Sequence, residues 1–186
     1  WSVTGVQTCA LPICPKVDEN HPEAKAAVAD VEGRIKKLVG IGGKRSPDSF
    51  QRELGHIIWD HCGMARNADG LRKALAKIPE IREEFWKNLR VTGDPKGMNA
   101  TLELAGRVSD FLELGELMCV DALARDESCG CHYREEHTTE EGEAKRNDED
   151  FQYVAAWQYT GDTAKPKLHR EDLSFEFVKP SQRSYK

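Results

Sequence analysis

Between Asn99 and about Arg125 the chain runs without a proline and sets an apolar or small residue at every third or fourth position: Leu104, Val108, Phe111, Gly115, Met118 or Cys119, and Ala122. That spacing is the heptad-like seam of a long helix packed on other helices, and it commits the chain to a mainly α fold. Asn99 supplies the side-chain acceptor that a helix start needs. Gly115 and Ala122 are small enough to let a neighbouring helix come close. Phe111 is expected at the centre of the core, where truncation to alanine would cost about 3–5 kcal/mol. Cys119, on the same seam, reads as a small buried hydrophobe rather than a ligand.

Three earlier patterns supply partners for that helix. His21-Pro22 opens the first, in which Ala24, Val28, Val31, Ile35 and Leu38 line one face until Gly40, Gly42 and Gly43 end it. Ser46-Pro47 starts the second, with Phe50, Leu54, Ile57 and Ile58 apolar and Gly63 as the stop. Asn67 or Asp69 caps the third, which carries Leu71, Leu75, Ile78, Ile81, Phe85 and Leu89. Pro79 falls inside that pattern and predicts a kink or a break there. The segment Gly93–Gly97 is a turn.

Helical pattern then gives way to charge. From Glu135 to Asp150 there are eight acids against two bases, Lys145 and Arg146, while the whole chain carries a net charge of −5. The acidity is local, as in a solvated loop, and the remainder is too weakly basic to track a nucleic-acid backbone. Phe151, Tyr153, Ala155, Trp157 and Tyr159 alternate like a strand, and Leu173, Phe175 and Phe177 do the same, with Thr160–Pro166 as the connecting loop. No apolar run reaches the roughly 18–20 residues that a membrane-crossing helix needs, and no secretion signal is evident. The start at Trp1 marks the sequence as a fragment, and residues 3–13 resemble the translation of a short-read sequencing adapter. Residues 1–14 are therefore expected to be non-native, which sets Cys9 and Cys14 aside.

The chemistry-bearing stretch is Glu127-Ser128-Cys129-Gly130-Cys131-His132-Tyr133-Arg134. One reading makes Cys129, Cys131 and His132, with His137 or Cys62, a metal site, although structural zinc sites usually space paired cysteines two to four residues apart. A second makes Cys129 and Cys131 a redox pair whose thiolates Arg134 and His132 would favour. His56, His61 and His169 stand alone. No dinucleotide-binding glycine motif, phosphate-binding loop or nucleophile elbow is present.

A third reading comes from resemblance. From about His21 to Lys186 the chain resembles the C-terminal region of the flavoprotein subunit of succinate dehydrogenase or fumarate reductase, in its bacterial form. The residues that carry this are Lys44-Arg45-Ser46, Arg52-Glu53-Leu54-Gly55, Trp59-Asp60 and Gly63-Met64-Ala65-Arg66. They continue through Leu112–Met118 and Ala122–Ser128, the loop at Glu135, Tyr153–Trp157, and Gln182-Arg183-Ser184-Tyr185. Glu127, Ser128, Gly130, His132 and Arg134 match the family's Glu-Ser-x-Gly-x-His-x-Arg motif. The wider family often has arginine at Cys129 and glycine or alanine at Cys131, so Cys131 departs from the pattern.

The resemblance implies an antiparallel bundle of three to four helices followed by an irregular tail with a short β-hairpin. It implies residues 15–125 as the helical domain and 126–186 as the acidic loop and extended tail of that domain. It further implies succinate–fumarate interconversion with covalently attached FAD, an iron–sulfur subunit and a cytochrome b membrane anchor as partners, and a peripheral place on the cytoplasmic face of the bacterial inner membrane. The flavin-linking and substrate-binding residues of the family lie upstream, so no catalytic, cofactor-binding or metal residue is carried over, and the five motif residues are expected to be structural. Two alternatives are the C-terminal domain of L-aspartate oxidase, and a free-standing helical interaction domain with a Cys/His metal-binding edge.

Overall fold

A computed structural model of the chain describes residues 18–181; the adapter-like residues 3–13 and the tail residues Gln182–Tyr185 lie outside them. Four helices form in the predicted places. They are α1 (Pro22–Gly40), α2 (Pro47–Cys62), α3 (Ala68–Asn88) and α4 (Ala100–Ala124), followed by a single turn, α5 (Asp148–Phe151). Each of α2, α3 and α4 begins where a side chain accepts from an otherwise unpaired backbone N–H: Ser46 from Ser49, Asn67 from Gly70, Asn99 from Leu102.

Helices α2, α3 and α4 pack against one another, and α1 lies on α4. Their shared core holds Phe50, Leu54, Leu71, Ala74, Ile78, Ile81, Phe85 and Leu89 from the middle of the chain, and Ala105, Val108, Leu112, Cys119 and Ala122 from α4. A buried ion pair crosses it, from the Arg82 guanidinium on α3 to Glu116 on α4. The chain between α1 and α2 lies against the end of α3, where the Gly43 N–H donates to the Leu89 carbonyl at 2.8 Å. A Cβ on Gly43 would sit 2.1 Å from the Asn88 carbonyl carbon, so only glycine fits this crossing.

Four expectations are corrected. On α4 Val108, Gly115, Cys119 and Ala122 of the expected seam are buried, but Ala105 and Leu112 take the inward places of Leu104 and Phe111, which leaves Phe111 39% exposed and Met118 45% exposed. Phe111 was misplaced because α4 is apolar on two sides, and spacing alone does not say whether it or Leu112 turns inward. On α1 only Leu38 is buried, whereas Val28 and Val31 point outward. Pro79 does not break α3, which runs through it; packing of Ile78 and Ile81 on both sides outweighs the lost hydrogen bond. The hairpin pairs β3 (Tyr153–Gln158) with the polar run β4 (Lys167–Asp172), from Tyr153 opposite Asp172 to Gln158 opposite Lys167, so Leu173, Phe175 and Phe177 follow the strand instead of forming it. Alternation misled because this hairpin lies open to solvent, where a strand needs no apolar face. Trp157 fastens it to the bundle, its Nε1–H donating to Asp121 of α4 at 2.6 Å.

Two further strands, β1 (Ala65–Arg66) and β2 (Tyr133–Arg134), pair in parallel with Ala65 opposite Tyr133. They join the α2–α3 connection to the stretch after α4, and that stretch is the motif.

Candidate functional site: the junction after α4

Helix α4 ends at Ala124 with its last carbonyl oxygens pointing onward and lacking intrahelical donors. The Arg134 guanidinium, 2% exposed, fills that place. Its Nη1 donates to the Ala122 carbonyl at 3.0 Å and toward that of Arg125 at 3.4 Å. Its other edge meets the Asp126 carboxylate at 3.1 Å and the Glu136 carboxylate at 3.2 Å. A cation therefore sits at the negative end of the helix dipole, between two anions. The Glu136 carboxyl feels burial pushing it up, but the Arg134 guanidinium and the Ala68 N–H prevail and hold it at about 2.

What brings Arg134 back onto the helix is a tight reversal. Cys129 and His132 exchange two backbone hydrogen bonds, of 2.8 and 3.0 Å, around Gly130 and Cys131. Gly130 has φ +61° and Cys131 does not have positive φ, the pattern of a type II′ turn. Below the turn, the fully buried Ser128 hydroxyl accepts the Arg134 N–H at 2.8 Å and donates to the Arg134 carbonyl at 3.0 Å. Glu127, 1% exposed, accepts from the Arg125 guanidinium at 2.7 Å and from the Asn147 N–H at 2.8 Å, which ties the acidic loop to the helix end.

His132 is half-buried, and both ring nitrogens are engaged. Nε2–H donates to the Arg125 carbonyl at 2.8 Å, and Nδ1 faces the Arg66 guanidinium at 3.4 Å. Burial, with the charges of Arg66, Arg134 and Arg125, pushes the imidazole below its ordinary value, against the carbonyl that favours its proton. Just below about pH 6.5 the folded chain thus binds fewer protons than the unfolded one. The stability this provides is complete above that pH and is lost as pH falls. The unfolding free energy should drop between about pH 7 and pH 5 more steeply for the natural chain than for His132→Gln. Equal slopes in urea titrations would refute this.

The arrangement spends its polar groups on itself. The His137 Nε2–H donates to the Asp126 carboxylate at 2.8 Å, and Cys131 is exposed. Cys62 lies in the core, far in environment from the Cys129–Cys131 turn. Among the described residues no group of three or more His, Cys, Asp or Glu side chains is placed to hold a metal ion, and no helix is long and apolar enough to cross a membrane. Around the five motif residues the junction also uses Arg66, Asp126, Glu136 and Asn147; no role for Glu136 or Asn147 follows from spacing, and Arg66 and Asn147 reach the motif from 66 and 20 residues away.

Fold and junction together define a helical domain whose last long helix is closed by a buried arginine on a returning loop. The profile described as fumarate reductase flavoprotein C-term matches residues 51–185, and the chain belongs to that family. The fumarate reductase flavoprotein subunit of Escherichia coli K12 is 29% identical over 89% of this chain and 27% of its own length. The succinate dehydrogenase flavoprotein subunit of Bacillus subtilis 168 is 23% identical over 98% of this chain and 29% of its own. Similarity to an L-aspartate oxidase of Synechocystis is confined to 46% of the chain. Among solved structures, a quinol-fumarate reductase with menaquinol molecules superposes with a TM-score of 0.72 at 27% identity, over 89% of this chain and 28% of that one. The chain thus spans little more than a quarter of the relatives it matches. The dinucleotide-binding fold places a glycine-rich turn between a strand and a helix N-terminus. At the step from β1 into α3, a Cβ on Gly70 would meet the Asn67 and His61 side chains. That step is a helix cap, with the Asn67 side chain accepting the Gly70 N–H at 2.8 Å.

Proposed function

We propose that this chain is the C-terminal helical part of a flavoprotein subunit that interconverts succinate and fumarate, with FAD bound by the rest of that subunit. Electrons pass through an iron–sulfur subunit to quinone at a cytochrome b anchor, and the assembly sits on the cytoplasmic face of a bacterial inner membrane. Residues 15–125 form the helical domain, and 126–186 its acidic loop and extended tail. Glu127, Ser128, Gly130, His132 and Arg134 are structural, and the chain holds the flavin-bearing part of the subunit in register.

The observation that carries the scaffold role is an apolar face left open between α2 and α4. Ile58, Phe111, Leu114 and Met118 line a shared groove there, with Leu114 54% exposed, Met118 45% and Phe111 39%. A contiguous patch of this kind marks a surface that another domain covers. The junction supports the same reading, because among the described residues every buried side-chain nitrogen and oxygen is paired, as a structural role requires.

The purified chain is expected to carry no flavin absorbance and to oxidise no succinate, and flavin co-purifying with it would overturn the assignment. Sequencing upstream of the codon for Trp1 gives the complementary check. A glycine-rich dinucleotide-binding motif is expected there, and an upstream frame without one counts against the reading.

A further inference from the structure

The turn that brings Arg134 back onto α4 carries two thiols that the helix cap does not use. Cys129 and Cys131 are both free, the first half-buried and the second exposed, with Gly130 between them. Cys129 and His132 close the turn by exchanging two backbone hydrogen bonds. They therefore form a hydrogen-bonded antiparallel pair, in which the Cα atoms stand about 5.5 Å apart. Three Cα steps of about 3.8 Å bridge that gap. So tight a reversal sets the Cα atoms of Cys129 and Cys131 about 6 Å apart, inside the span of about 4.4–6.8 Å that a disulfide requires. Both thiols can be reached. No atom beyond the chain neighbours lies within 4 Å of where a Cβ on Gly130 would stand. Cys129 borders an open cleft of about 230 Å³, which Arg125, Arg146 and Phe151 also line.

We propose that Cys129 and Cys131 are a reversible dithiol–disulfide couple, oxidised by a low-molecular-weight disulfide. The exposed Cys131, as its thiolate, attacks one sulfur of the small disulfide. That S–S bond breaks, and one small thiolate leaves and takes a proton from solvent. Cys129, as its thiolate, then attacks the Cys131 sulfur of the mixed disulfide, and the second small thiolate leaves in the same way. The two protons taken up match the two that the cysteines gave to solvent. The pair loses two electrons, and the small disulfide gains them. Closure brings no distant segments together, because the turn already holds the two residues at disulfide range. A three-residue loop removes little chain entropy, so the bond adds little to stability and its equilibrium follows the redox poise around it.

The test equilibrates the full chain near neutral pH with set ratios of oxidised to reduced glutathione, quenches with acid and alkylates the free thiols. Tryptic cleavage isolates residues 126–134, in which Cys129 and Cys131 are the only cysteines. The expected product is this peptide made two hydrogens lighter, and dithiothreitol restores it. The equilibrium constant for its formation in the folded chain should exceed that of the free synthetic 126–134 peptide by about tenfold or more, because the fold has already closed the turn. In Cys129→Ser the reaction should stop at a mixed disulfide between Cys131 and glutathione. Alkylation of both cysteines at every ratio overturns the proposal, as does a mixed disulfide in the natural chain that Cys129 does not resolve. Cross-linking of two chains through 126–134, or an equilibrium constant no larger than that of the free peptide, overturns it too.

Discussion

Replacing Arg134 with alanine is expected to lower the unfolding free energy by about 3–4 kcal/mol. Three losses add. The Ala122 carbonyl is left without its donor, the C-terminal end of α4 loses its only buried cation among the described residues, and Asp126 and Glu136 lose the charge between them. The two carboxylates are partly open to water, at 62% and 36% exposed, so they can be resolvated, which keeps the figure near the lower end for a broken buried pair. Arg134→Lys should recover only part of the loss, because an ammonium cannot span the carbonyls and both carboxylates as the guanidinium fork does. Urea denaturation followed by circular dichroism measures both variants, and a loss below about 1 kcal/mol for alanine would show that Arg134 does not hold the junction.

The same substitution has a pH signature. Glu136 is held at about 2 in the folded chain, well below the ordinary carboxyl range. A depressed carboxylate contributes stability that is present above its ordinary value and is lost as pH falls toward about 2. In Arg134→Ala the Glu136 carboxyl should titrate nearer its ordinary value, which carboxyl-resolved NMR would detect.

Phe85→Ala and Phe111→Ala should separate sharply, by about 3–5 kcal/mol for the first and about 1 kcal/mol or less for the second. Phe85 is fully buried, and its ring meets that of Phe50 edge-on at 5.3 Å and that of Trp86 at 5.1 Å. Removing it empties the place where α2 and α3 meet. Phe111 stands on the open face, where truncation leaves no cavity. Similar losses from the two variants, measured side by side, would return Phe111 to the core.

Helix starts were legible in the sequence because each rests on a local interaction. Ser46, Asn67 and Asn99 bond to backbone N–H groups three residues on, a reach that spacing alone reveals. Less legible was the side of a helix that faces inward. Val28, Val31 and Phe111 sit in regular apolar rows, and a row shows that a face will be covered without naming what covers it. Among the described residues no element covers them, and the proposed remainder of the subunit would supply the cover. The strand Lys167–Asp172 was illegible because its partner, not its own pattern, makes it a strand.

At the junction the division is clearest. The sequence by itself determined the turn, through a glycine that takes positive φ, and the serine, glutamate, histidine and arginine placed around it. Only the tertiary structure decided what those groups are for. A guanidinium eight to twelve residues beyond its partners becomes a helix cap once Arg66 pairs with Arg134 across the two short strands and Ser128 locks the loop. Hydrogen bonds of that kind depend on where distant backbone groups come to rest, and that depends on burying the core of α2, α3 and α4 first. The imidazole that looks like chemistry in one dimension is, in three, the wedge that brings Arg134 home.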